Sequence, residues 1–134
     1  MKQRVLIIDD DQEMCAELQE ILEDEGYHVQ TAFDGKLGSE LIHQGEFNIV
    51  ILDLKLPEIT GYEVLQRAKK IPEGPRIIIL SGRPLGQKVV HDENACMDEE
   101  EQILKLADEV INKPVHIPDL IRKIKKAVLS LSDK

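Results

Sequence analysis

Tryptophan is absent from this 134-residue chain, and phenylalanine and tyrosine occur only twice each. Apolar residues nevertheless make up 42% of it, enough for one sizeable core. That core must be built from isoleucine, leucine and valine, as in the interior of a buried parallel sheet. Excess positive charge is lacking too. The formal net charge is −9, which argues against a basic nucleic-acid surface and against adhesion to an acidic membrane. Cysteine is scarce. Cys15 and Cys96 form no close-spaced metal or redox motif and are expected to be reduced thiols. Long apolar runs are missing. Val5–Ile8 is too short for a signal sequence and ends in three acids, and no segment approaches the length of a bilayer span. A cytoplasmic protein of one domain, residues 1–134, is expected, with no repeat and no low-complexity linker.

The apolar runs that are present are short and regularly spaced. Val5-Leu6-Ile7-Ile8 reads as a strand buried on both faces, ending at Asp9-Asp10-Asp11. Met14, Leu18, Ile21 and Leu22 then mark one helical face, with Gly26 as its stop. His28 to Ala32 reads as a second strand. Lys36 to Gln44 reads as a second helix, with Leu37, Leu41 and Ile42 expected inward. Asn48–Leu52 is a third strand ending on Asp53. A turn and a helix with Val64, Leu65 and Ala68 inward follow it. Ile77–Leu80 is a fourth strand ending on Ser81-Gly82, and Val110-Ile111 a fifth before Lys113-Pro114. Ile117, Leu120, Ile121, Ile124, Val128 and Leu131 line a last helix, with Arg122-Lys123 and Lys125-Lys126 on its wet side. From Gly82 to about Met97 there is no clean period, and Asp98 to Leu106 is compatible with a helix, with Ile103, Leu104 and Ala107 as its apolar side.

Strands alternating with helices predict an α/β domain with a five-stranded parallel sheet. Ligands of such sheets bind outside the carboxyl ends of the strands, where the strand order reverses. The residues just past those ends are Asp9, Asp10, Asp53, Ser81 and Lys113. Converging carboxylates repel one another unless a cation holds them or their pKa values rise. A hard cation held by one or two acids, water and phosphate is Mg²⁺. A carboxylate beside it can attack phosphorus and form an acyl phosphate. A metal ion, an ammonium and a hydroxyl can then balance the three equatorial oxygens of the phosphoryl group.

The ordered set Val5–Asp11, Asp53-Leu54-Lys55-Leu56-Pro57-Glu58-Ile59-Thr60-Gly61, Ile79-Leu80-Ser81-Gly82 and Lys113-Pro114 resembles the receiver domain of two-component response regulators. The resemblance spans nearly the whole chain. It implies a doubly wound, flavodoxin-like sheet of order 2-1-3-4-5. It also implies a phosphorelay signalling module rather than a turnover enzyme, phosphorylated by a histidine kinase or phosphotransfer protein. Asp53 would be the phosphoacceptor. Asp10 would be a direct Mg²⁺ ligand, Asp9 a ligand directly or through water, and the Lys55 backbone carbonyl a third protein ligand. Ser81 would move to the phosphoryl group and Lys113 would pair with it. The Lys113-Pro114 bond is expected to be cis. Asp11 is expected to start the first helix. The four histidines show no ligand spacing.

Three departures from the family pattern stand out. Val110 occupies the usual position of an aromatic switch residue. The stretch from Ser81 to Lys113 is longer than usual around the fourth helix, which puts any standard homodimer mode in question. Lys55 and Arg83 sit where the attacking water normally passes. They either screen the phosphoryl group and pair with the acids, or are solvated at the rim. Two rival readings remain open. A haloacid-dehalogenase-type phosphohydrolase would use Asp9 and Asp11, but Glu13 stands where that motif wants Thr or Val. A receiver-like scaffold would bind partners without phosphorylation. No DNA-binding output segment is visible, and the kinase, the stimulus and the downstream target are not named by the sequence.

Overall fold

A computed structural model describes residues 3–82 and 99–131, with the side chains of residues 99–101 left aside. The strands are β1 (Arg4–Ile8), β2 (His28–Ala32), β3 (Ile49–Asp53), β4 (Arg76–Ser81) and β5 (Glu109–Asn112). The helices are α1 (Gln12–Asp24), α2 (Gly35–His43), α3 (Gly61–Ala68), α4 (Glu99–Leu104) and α5 (Ile117–Leu131). All strand pairs are parallel, in the order β2-β1-β3-β4-β5. The expected sheet is therefore the observed one. The order reverses between β1 and β3, whose registered residues run from Val5 opposite Ile49 to Ile8 opposite Leu52.

Successive strand residues point to opposite faces, so each apolar run serves two cores. Val5, Ile7, Ile49, Ile51, Ile78 and Leu80 pack beneath α1 and α5. Leu6, Ile8, Val50, Leu52, Ile77 and Ile79 pack beneath α2, α3 and α4. All twelve are fully buried, and each contributes roughly 1.5–3 kcal/mol of transfer free energy. Side-chain caps fix where the helices begin. Asp11 accepts from the Met14 N–H, Asp34 from Leu37 and Thr60 from Glu63. Asp11 thus opens the first helix as expected. Gly26, past the end of α1, has φ +99°, a conformation that favours glycine.

Two expectations about side-chain direction fail. Leu37 is 44% exposed, because α2 turns its small residues to the sheet. A Cβ on Gly38 would lie 2.5 Å from Ile8 Cδ1, so the helix lies too close to the sheet for a large side chain there. Lys123 is not on the wet side of α5. Its Nζ donates to the Val110 carbonyl at 3.2 Å and lies 3.6 Å from Glu109. The long fourth connection is partly seen. Helix α4 falls inside the expected Asp98–Leu106 window, with Ile103, Leu104 and Ala107 partly buried. Arg83, Pro84, Leu85, Gly86, His91, Cys96, Met97 and Asp98 lie outside the described residues.

Candidate cation and phosphoacceptor site

The carboxyl ends of β1, β3, β4 and β5 bring the sequence-predicted groups together. Asp9 follows β1 directly and is fully buried, while Asp10 is exposed beside it. Asp53 is the last residue of β3 and is 5% exposed. One carboxylate oxygen from each of the three lies within 4.8 Å of the others. Lys113, just past β5, points its Nζ at Asp9 Oδ2 (3.0 Å) and at Asp53 Oδ2 (3.6 Å). Ser81 ends β4 and is buried, and its backbone carbonyl accepts from the Lys113 N–H at 2.6 Å. The Lys113-Pro114 bond is cis, as expected.

Local hydrogen bonds hold the acids in place. The Asp11 N–H donates to Asp9 Oδ1 at 3.0 Å, and the Lys55 N–H donates to Asp53 Oδ1 at 3.3 Å. The loop after β3 folds back tightly over Asp53. The Gly61 N–H donates to the Leu54 carbonyl at 3.0 Å, and a Cβ on Gly61 would fall 2.1 Å from the Asp53 carbonyl oxygen. Only glycine fits that approach.

Electrostatics mark the cluster as incomplete on its own. Burial and the nearby Asp9 charge push the Asp53 pKa up to about 6, against the pull of Lys113 and the Lys55 N–H. Burial alone would lower the Lys113 pKa, but its close contact with Asp9 and the charges of Asp9 and Asp53 raise it. One ammonium therefore faces three acids. Asp9 Oδ2 is buried and makes no well-aligned hydrogen bond; its close neighbour is the Lys113 ammonium, an ion contact rather than a directed bond. A buried carboxylate oxygen left this way, among hard oxygen donors, fits a divalent cation. Cys15 also touches the site, with Sγ 3.4 Å from the Asp9 carbonyl. Burial and the adjacent acids push its pKa up to about 12, so it is an inert neutral thiol and not a nucleophile.

A groove of about 660 Å³ opens beside Asp10 and Lys55, walled by Leu54, Leu56, Tyr62 and Ile103. Ile103 lies on the expected apolar side of α4. The sequence did not single out Tyr62, whose partly buried position on α3 could be read only once the two helices were placed side by side.

A doubly wound α/β domain with an acidic cluster at its switch point is the class this fold and site define. The chain matches the response regulator receiver domain model over residues 5–125. It belongs to that family, the receiver domain of two-component systems. Among curated proteins, it is 30% identical to the transcriptional regulatory protein DltR of Streptococcus agalactiae serotype III over 122 residues, 91% of this chain and 50% of DltR. It is 28% identical to the response regulator receiver protein CpdR of Brucella abortus, covering 95% of this chain and 98% of CpdR. The chain thus spans about half the length of DltR and nearly all of CpdR. Among solved structures, a CheY-like receiver domain protein from Methanospirillum hungatei superposes with TM-score 0.83 at 32% identity, over 99% of this chain and 98% of that one. The response regulator TrrA of Thermotoga maritima, in complex with Mg²⁺–BeF, gives 0.75 at 29% identity, over 93% and 98%. TrrA in complex with the histidine kinase ThkA gives 0.73 over 93% and 97%. Family membership removes the hydrolase reading. In keeping with that, the Asp11 side chain is engaged as a helix cap, with its Oδ1 accepting from Met14.

Proposed function

We propose that residues 1–134 form one receiver unit and that Asp53 is its phosphoacceptor. The donor is a phosphohistidine on a histidine kinase or phosphotransfer protein. The observation that carries this is the convergence of Asp9, Asp10 and Asp53 within 4.8 Å around an ammonium 3.0 and 3.6 Å from two of them. An Asp53 carboxylate oxygen forms the new O–P bond as the donor N–P bond breaks, and the released imidazole nitrogen takes up a proton. With its pKa near 6, Asp53 is mostly ionised at pH 7 and ready to attack. The Lys113 ammonium balances one phosphoryl oxygen and the Ser81 hydroxyl donates to another. Asp9, Asp10, Asp53 and the Lys55 backbone carbonyl would hold Mg²⁺, whose charge neutralises a third oxygen. The complexes of TrrA with Mg²⁺–BeF and with a histidine kinase support both the metal and the donor class.

Output is protein contact: no helix among the described residues is long and apolar enough to cross a membrane, and the chain's net charge of −9 disfavours direct contact with nucleic acid. The proposed location is the cytoplasm.

Incubation with Mg²⁺ and a small phosphodonor, followed by mass analysis, tests the chemistry. A stoichiometric acid-stable, base-labile adduct is expected, absent in Asp53→Ala. A wild-type protein that takes up no phosphoryl group under these conditions would leave only the scaffold reading standing.

A further inference from the structure

Three elements that carry parts of the acidic site at one end meet again at the other. β4 runs from Arg76 to Ser81, which is buried at the site. β5 has Lys113 just past its carboxyl end and Asp108 just before its amino end. α3 starts at Gly61, which closes on the Asp53 carbonyl, and ends at its C-cap Lys69. At the amino ends of the strands Lys69, Arg76 and Asp108 form one cluster. Asp108 Oδ2 accepts from the Ile77 N–H and from Lys69 Nζ, both at 2.7 Å. The Asp108 N–H donates to the Ile77 carbonyl at 2.9 Å, so backbone and side chain together continue the β4–β5 ladder. Arg76 Nη1 lies 3.8 Å from Asp108 Oδ1. The same guanidinium reaches the last turn of α5. Its Nε donates to Ser130 Oγ at 2.9 Å and its Nη2 to the Ser130 carbonyl at 3.3 Å. Ser130 Oγ in turn donates to the Ala127 carbonyl at 2.7 Å. The side chains of Lys69, Arg76 and Asp108 are 23%, 24% and 26% exposed, so water screens this network less than a fully exposed surface pair.

Asp108 is therefore a hub that ties the end of α3 to the starts of β4 and β5, and Arg76 passes that tie to α5. We propose that this bracket couples the acidic site to the last turn of α5, so that an occupied site holds the turn more firmly. The inference rests on the proposed receiver chemistry and names a route by which the site acts at a distance. A phosphoryl group on Asp53 gives Ser81, at the end of β4, and Lys113, past the end of β5, one common partner. The two strands are then held together at their carboxyl ends. β4 is buried from Ile77 to Ser81, and a close-packed interior transmits strain rather than absorbing it. The ladder down to Ile77 and Asp108 firms with the site. Arg76 is positioned by that ladder and by the Asp108 carboxylate, and it is the group that grips Ser130. Lys69, Arg76 and Asp108 are positioning residues, since none of them lies in the acidic site. Their route is separate from the contact of Lys123 with the Val110 carbonyl, which reaches the middle of α5.

Hydrogen exchange of the α5 backbone amides, followed by NMR on the full chain, tests the coupling. Mg²⁺ with beryllium fluoride, the pair that TrrA carries, serves as the phosphoryl mimic, and its binding is measured separately by titration. In the wild type the mimic should slow exchange at residues 128–131 by about two-fold or more. Asp108→Asn leaves α5 untouched and keeps an oxygen for the Ile77 N–H, yet it should abolish that slowing. Arg76→Met and Ser130→Ala should abolish it too, and should speed exchange of the turn with and without the mimic. Lys69→Met repeats the test from α3 and covers the case in which Arg76→Met does not fold, which circular dichroism melts decide. A bracket with a merely structural role would speed exchange by the same factor in both states and leave the slowing in place. Variants that retain the slowing therefore overturn the inference, as does a wild type that binds the mimic without slowing exchange. A wild type that does not bind the mimic at all overturns the receiver chemistry, and this inference with it.

Discussion

The two faces of the sheet are built from the same strands yet differ in how firmly they are closed. On one face lie α1, of 13 residues, and α5, of 15, which fully or nearly fully bury Cys15, Leu18, Leu22, Leu120, Ile124 and Ala127. On the other lie α2, α3 and α4, of 9, 8 and 6 residues. There Ile103, Leu104 and Ala107 around α4, and Val110 beneath it, are only partly buried. Sparse burial lowers the cost of local opening. A change at Ser81, at the end of β4, therefore meets less resistance toward α4 than toward α5. Strand β5 joins the two sides: Ile111 packs with the α1/α5 core and Val110 with the α4 side. Lys123 holds the Val110 carbonyl from the α5 side. Where family members carry a large ring at that position, this protein has a small side chain in a loosely packed corner.

Truncation is the most direct way to break this comparison. Leu120→Ala should destabilise by about 3 kcal/mol, since it empties a fully buried site between a long helix and the sheet. Leu104→Ala should cost about 1 kcal/mol, because its side chain is only partly buried. Urea unfolding of both variants checks the pair. Equal losses would mean that α4 is as firmly seated as α5.

The site itself should show an effect of opposite sign. Asp53 has its pKa raised from 3.8 to about 6, so the folded state binds more protons than the unfolded one between those values. Stability must then fall as pH rises from about 4 to about 6. Asp53→Asn removes that slope. At pH 7 it should be more stable than the wild type by up to about 3 kcal/mol, taking about 1.4 kcal/mol per pKa unit. Lys113 keeps Asp9 as its partner in this variant, so no ammonium is stranded. Thermal melts across that pH range read the difference, and added Mg²⁺ should raise the melting temperature of the wild type more than that of the variant.

The five strands and the acidic cluster were legible because both rest on short apolar runs that stop at polar residues, whereas the strand order followed only from the resemblance to receiver domains. Asp9, Asp53, Ser81 and Lys113 are each the last or next residue of a strand, and Asp10 follows Asp9, so one topological rule gathers them. The helix faces were harder. Leu37 was read as inward because it is large and apolar, but α2 approaches the sheet through Gly35, Gly38 and Ser39. Hydrophobic periodicity does not register a face made of small residues. Cys15 and Ala127 were missed for a related reason, although Cys15-Leu18-Leu22 and Leu120-Ile124-Ala127 both keep helical spacing. Nothing in the sequence could show the poorly partnered Asp9 Oδ2, which depends on how Lys113 reaches across from the end of β5.

The finest test separates chemistry from its rim. The Lys55 backbone N–H holds Asp53, while its side chain is exposed and borders the groove beside Asp10. Lys55→Ala keeps the backbone bond and removes only the ammonium. If that ammonium shields the phosphoryl group from water, the phosphorylated variant should lose its adduct a few-fold faster than the wild type. That corresponds to about 1 kcal/mol in the barrier to hydrolysis. Uptake should be little changed, because Lys113 and the acids remain. A time course of adduct loss after donor removal distinguishes the two roles. An unchanged lifetime would make Lys55 a solvated rim residue and leave control of dephosphorylation to groups beyond β4.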